Sequence, residues 1–279
     1  MSSRYDIFLK TSNLLSYILV LGVNSYFKAI EERPGDDGSD FKGNSTHGNG
    51  THGAVPLTHI LPATYTFGIW GLIYALLGGF VIYQWFNSAD VATVEGVKFY
   101  LILANLGNIV WIVLWRMDYY MLDVFVAACV LLALMFAYNN LEQYPPKSIY
   151  DRLFIHYPFT IYPAWLIVAT TLNFWVAFQA LDTVFFSTII VAVFGLIGLS
   201  FVDYCKRKDV VFAGTLAWSL IGIAVRQYES LSILIAAAVS AGLIIGGILR
   251  VMVHEIITWW HLRTQTERTE RSPLLPTQN

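Results

Sequence analysis

Three stretches of the chain set tryptophan, tyrosine and asparagine at helical spacing. In LPATYTFGIWGLIYALLGG, Phe67, Trp70 and Tyr74 fall three and seven residues apart, on one helix face. In ANLGNIVWIVLW, Asn108, Trp111 and Trp115 share a face. In IYPAWLIVATTLNFW, Tyr162, Trp165, Ala169 and Asn173 form a third stripe, with Pro163 near its start to cap or kink the helix. The chemistry open to such groups is non-covalent. Aromatic faces make an apolar cavity, and a few amide and phenol groups orient what enters it, the usual composition of a small-molecule site. The competing reading is plain packing, since aromatic stripes often fill a core. Three stripes, each pairing aromatics with an Asn or a Tyr, tilt the balance toward a pocket.

Covalent and metal chemistry find no support. There is no Gly-rich phosphate loop and no Ser-His-Asp set in a credible context. His254 and Glu255 are adjacent, so they do not share a helix face. Two cysteines, Cys129 and Cys205, cannot build a disulfide framework or a thiolate cluster and are expected to be packing residues. His47, His52 and His59 lie in one polar stretch with no Cys or helical His spacing beside them, so a solvated loop is expected and not a metal site. The chain is expected to be no enzyme and to carry no metal and no cofactor.

The elements that must position these stripes follow from composition. Of 279 residues, 56% are apolar and only 13% charged. Soluble domains carry about 25% charged residues, so most of this chain must face lipid. A net charge of −2 excludes a nucleic-acid partner. Eight apolar stretches approach the roughly 20 residues a spanning helix needs: 12–29, 65–86, 97–115, 119–139, 159–179, 184–202, 210–225 and 231–249. Their residues do not alternate polar and apolar, which excludes a β-barrel. The first is interrupted by Asn24 and lacks the cleavage site of a signal peptide. Gly71, Ala75 and Gly79, and again Gly242 and Gly246, recur every four residues, the spacing at which helices approach closely in lipid. Trp85, Trp259 and Trp260 fit interfacial anchors. Arg116, Asp118 and Asp123 lie near span ends, from which they can reach the interface.

With the N-terminus in the cytoplasm and eight spans, the 17 Lys and Arg divide twelve to five in favour of the cytoplasmic side. The long polar loop 31–63 then faces away from the cytoplasm. It holds two N-glycosylation acceptors, Asn44 and Asn49.

These residues resemble the translocator protein / tryptophan-rich sensory protein family. The fifth stretch carries that family's Tyr, Trp, Ala, Leu-Asn pattern at Tyr162, Trp165, Ala169, Leu172 and Asn173, and the third carries its Asn-Trp pair at Asn108 and Trp111. The second matches at Trp70 and Tyr74, with Phe67 one residue nearer the Trp than the pattern has it and the double Pro reduced to Pro62. The resemblance covers roughly residues 12–180. TFGIWGLIY and LAWSLIGIAV resemble a longer subgroup with extra helices. It implies a five-helix bundle whose pocket is capped by the loop between the first two helices, binding tetrapyrroles, sterols or similar molecules, with transport or sensing discussed.

The expectation is an all-α polytopic transmembrane bundle of about eight spans. Residues 1–11 form a cytoplasmic N-terminus. A tryptophan-rich five-helix core covers 12–180, three added helices cover 181–260, and a disordered cytoplasmic tail covers 261–279. Trp70, Tyr74, Asn108, Trp111, Tyr162, Trp165, Ala169 and Asn173 are the expected ligand-binding residues. The alternative is a proton- or ion-coupled secondary transporter of endomembranes. In the tail, Glu270 followed by Leu274-Leu275 resembles the acidic dileucine signal read by clathrin adaptors and points to a lysosomal or vacuolar membrane, with the plasma membrane or another endomembrane as the alternative. Expected partners are the bilayer, a small hydrophobic ligand and the adaptor; a homodimer is left open.

Overall fold

A computed structural model describes residues 4–31, 57–203 and 208–271. Asn44, Asn49, Cys205, Leu274, Leu275 and most of loop 31–63 lie outside the described residues. Among the described residues eight long helices carry the fold: α1 (Arg4–Glu31), α2 (Ile69–Tyr83), α3 (Tyr100–Arg116), α4 (Tyr120–Leu141), α5 (Tyr157–Ala177), α6 (Val184–Asp203), α7 (Val210–Arg226) and α8 (Leu231–Arg271). There is no strand among the described residues. Among the described residues six helical stretches are long and apolar enough to cross a membrane, and a seventh counts if Asn87–Val97 and Tyr100–Arg116, bent by 64°, act as one. The eighth, Val210–Arg226, is shorter at 17 residues, about 25 Å of helix. The protein is an all-α polytopic membrane protein.

Local chemistry sets several helix ends. Asp118 adopts a left-handed φ of 59°, which reverses the chain between α3 and α4; Asp is among the few residues that tolerate this region. Asp209 caps α7, its carboxylate accepting from the backbone of Val211 and Phe212 at 3.1 and 3.0 Å. The same carboxylate accepts from Tyr138 Oη of α4 at 3.1 Å, tying the start of α7 to the core. Pro158 sits in the first turn of α5, where a missing N–H costs least, while Pro163 is accommodated inside the helix.

The first five helices close a ring in the order α1, α2, α5, α4, α3. The last three pack on one another, and α7 also packs on α5. Helix α5 therefore serves both bundles. Its most apolar window is 78% buried, against 39% or less for every other candidate span. Tyr162 and Trp165 face the five-helix core, while Ala164, Val168 and Trp175 belong to the core of the added helices.

Several sequence expectations change. Gly242 and Gly246 meet nothing within 4 Å. The close approaches in the added bundle are made instead by Gly195 against Ser240 and Gly198 against Ile244. The α2 stripe divides: Gly79 packs on the Phe154 ring, while Gly71 meets no neighbour. Cys129 is exposed on the outside of the bundle and is not a packing residue. Asp123 is not an exposed span-end charge; it is fully buried, with the Trp111 indole against its carboxylate. Helix α8 runs unbroken for 41 residues to Arg271, past the expected start of disorder at 261, and takes in Glu270. The sequence supplies no Gly or Pro between Gly247 and Pro273 to stop it. Trp85, Trp259 and Trp260 are exposed, as interfacial anchors would be.

Candidate functional site

A cavity of about 870 Å³ opens at the end of the bundle where α1, α3 and α5 finish and α2 begins. Loop 31–63 connects at this same end. The three stripes converge here. Trp70, Tyr74, Trp111, Trp165, Ala169 and Asn173 line the cavity. Trp70 is the hub: its ring stacks on Trp111 and Tyr74, each at 5.8 Å between centroids, and meets Tyr162 and Trp165 edge-on at 5.6 and 6.3 Å. Offset and edge-on pairs of this kind match ring quadrupoles and add to the apolar burial.

Phe67 joins the wall, its ring edge-on to Trp165 at 5.6 Å. Phe67 lies in the 3₁₀ turn Thr64–Gly68, which leads directly into α2.

Asn108 and Tyr162 do not line the cavity; they are buried behind its wall, where Asn108 bonds the lining residue Tyr74 and Tyr162 bonds Asn108. Asn108 Oδ1 accepts from Tyr74 Oη at 3.2 Å, and its Nδ2 donates to Tyr162 Oη at 3.1 Å. Asn24 of α1 adds a longer contact to Asn108 at 3.4 Å and anchors itself on the Val20 carbonyl at 2.8 Å. Asn24, which interrupts the first apolar stretch, is a site residue and lines the cavity. Its signal was there: an Asn inside an apolar span must find a partner. At the rim, the Arg116 guanidinium lies 4.6 Å from the Phe27 ring centre and donates to the Phe27 carbonyl at 3.2 Å. Lys28 lies beside them. The cavity thus has an aromatic body braced from behind by an amide–phenol pair, with Lys28 and Arg116 at its edge, an arrangement suited to holding an apolar molecule that carries polar groups.

A second, smaller cavity lies at the opposite end, lined in part by Tyr144, Asp151 and His156. There the Tyr144 hydroxyl donates to Glu95 at 2.9 Å, and that carboxylate raises the Tyr144 phenol above its ordinary value. His59 lies away from the main cavity wall, with Nδ1 3.0 Å from an Asp182 oxygen. Among the described residues no three His, Cys, Asp or Glu side chains gather as a metal site.

The family model described as TSPO-like protein matches residues 10–250. The match extends beyond residue 180 across α6, α7 and half of α8, so these helices fall within the family alignment and not outside it. No curated protein and no solved structure matches the chain.

Proposed function

The chain belongs to the TSPO-like protein family, and from that premise we propose that it binds a small hydrophobic ligand, a tetrapyrrole, a sterol or a similar molecule, in the cavity of the five-helix core. One observation carries this reading. Six of the eight expected residues line a single cavity, while the other two, Asn108 and Tyr162, lie behind its wall and brace the lining residue Tyr74. At about 870 Å³ it falls within the range that holds small ligands. Binding, with transport or sensing built on it, is the activity we assign, and no enzymatic step is part of it. Purified protein should be heated with a panel of porphyrins and sterols. A molecule that binds only the folded state raises the unfolding temperature, and raises it further as its concentration exceeds its Kd. A panel that leaves the temperature unchanged at saturating concentrations overturns the reading.

Coupling to protons or ions is the second reading, and Asp123 favours it. A fully buried carboxyl is costly in a membrane helix and is usually retained for function. It sits beside the cavity wall, near the indole of Trp111. Asp123→Asn should then abolish any pH dependence of ligand uptake by proteoliposomes. An unchanged pH profile would dismiss the coupled mechanism.

The tail signal Glu270, Leu274, Leu275 motivates residence in a lysosomal or vacuolar membrane with a clathrin adaptor as partner. Asn44 and Asn49 motivate glycans on the lumenal side. A homodimer is compatible with this reading.

A further inference from the structure

The three added helices are joined to the cavity through a short stretch of chain. Residues 57–68 run from the long loop into α2 and are held almost entirely by α7 and the α5–α6 link. Gly222 accepts at its carbonyl from Ala63 N at 2.9 Å. Gln227 donates to the carbonyls of Thr58 and Leu61 at 3.0 and 3.1 Å. Trp218 donates to the Thr66 carbonyl at 3.1 Å and meets Tyr65 edge-on. His59 N donates to Asp182 at 3.1 Å. Ile60 and Leu61 are buried in the core of the added helices. Two residues of this clamped stretch, Thr64 and Phe67, line the cavity, and Phe67 packs on Trp165.

The tightest point is Gly222. A Cβ there would fall 2.1 Å from Thr66 Oγ1 and 3.0 Å from both Thr66 Cβ and Cγ2. Thr66 cannot turn away cheaply. Its side chain is branched at Cβ and fully buried, and its carbonyl is already held by Trp218. Anything larger than glycine at 222 must therefore push the 3₁₀ turn off α7. Phe67, one residue on, would shift against Trp165.

We infer that α7 sets the shape of the cavity, with Gly222 as a positioning residue that governs ligand affinity through Thr66 and Phe67 without itself touching the ligand. The inference rests on the cavity being the binding site. It assigns the added helices a part in that site: occupancy of the cavity and the seating of α7 are linked, and linkage is reciprocal.

The test uses full-length protein in detergent, with protoporphyrin IX as the probe and quenching of tryptophan fluorescence as the readout. Gly222→Ala should weaken binding by roughly fivefold or more, the scale of coupling between residues in contact. Thr66→Ala alone should bind as wild type, because the Thr66 hydroxyl has no hydrogen-bond partner to lose. The double variant should recover most of the lost affinity. Gly195→Ala is the control. Its Cβ would fall 2.5 Å from Ser240 Cβ and meet Ser240 rather than residues 57–68, so it should lower the unfolding temperature and leave affinity unchanged. Equal loss from Gly195→Ala and Gly222→Ala, or none from Gly222→Ala, overturns the inference. If the wild type itself does not quench, the ligand reading fails, and the shape claim is read without ligand. In a Cys129→Ser, Cys205→Ser background, Ala169→Cys places one thiol in the cavity wall. Its rate of modification should change with Gly222→Ala and not with Gly195→Ala; equal rates in all three refute the positioning role.

Discussion

Asn108 of α3 and Tyr162 of α5 meet across the bundle axis, the amide Nδ2 donating to the phenol oxygen at 3.1 Å. Both residues are buried, and the other end of the same amide accepts from Tyr74 of α2. One side chain thus joins three of the five helices behind the cavity wall, and nothing apolar could take its place without stranding two phenols.

Asn108→Leu should lower stability by about 1 to 3 kcal/mol, the cost of leaving buried polar groups unpaired. Thermal unfolding in detergent measures it. Pairing the change with Tyr162→Phe, which removes one of the stranded hydroxyls, should cost less than the sum of the two single changes. Strict additivity would mean the amide–phenol contact contributes nothing.

Trp165→Ala should weaken an aromatic ligand by about 1 kcal/mol or more, because the ring faces both Phe67 and Trp70 in the cavity wall. Trp259 is exposed on α8 and far along the chain from the site, so Trp259→Ala should leave affinity nearly unchanged. Isothermal titration of both variants with the same ligand decides. Equal losses would point to general destabilisation and cancel the site assignment.

Enzymatic removal of N-glycans should change the gel mobility of the wild type and not that of an Asn44→Gln, Asn49→Gln variant. The expectation follows from the charge division among the loops, which sets loop 31–63 on the non-cytoplasmic side. Selective labelling that finds this loop in the cytoplasm would reverse the orientation, and with it the side on which the cavity opens.

Replacing Leu274 and Leu275 by Ala should send a tagged protein from the lysosomal or vacuolar membrane to the cell surface. Glu270 lies in the last turn of α8, so the acidic part of the signal sits at a helix end and the two leucines follow it past Pro273. Shared residence of wild type and variant in one compartment would dismiss the signal.

The sequence by itself determined the lipid-facing class, the helices and the membership of each stripe. Lipid leaves a chain no option but to satisfy its backbone within helices, and a helix of 3.6 residues per turn puts Trp70 with Tyr74, Asn108 with Trp111, and Trp165 with Ala169 wherever it packs. Which faces meet was another matter. In water an apolar face must turn inward, but in lipid an apolar face is equally at home outside, so composition does not separate Gly222 and Gly195, which touch neighbours, from Gly242 and Gly246, which do not. The partnership of Asn24 with Asn108 lies 84 residues apart. The burial of Asp123 depends on how α3 and α4 lean together after the turn at Asp118. The clamp of α7 on residues 57–68 joins parts of the chain more than 150 residues apart. Helical periodicity reaches one or two turns along the chain and carries no information at that range; only the packed tertiary structure brings these groups into contact.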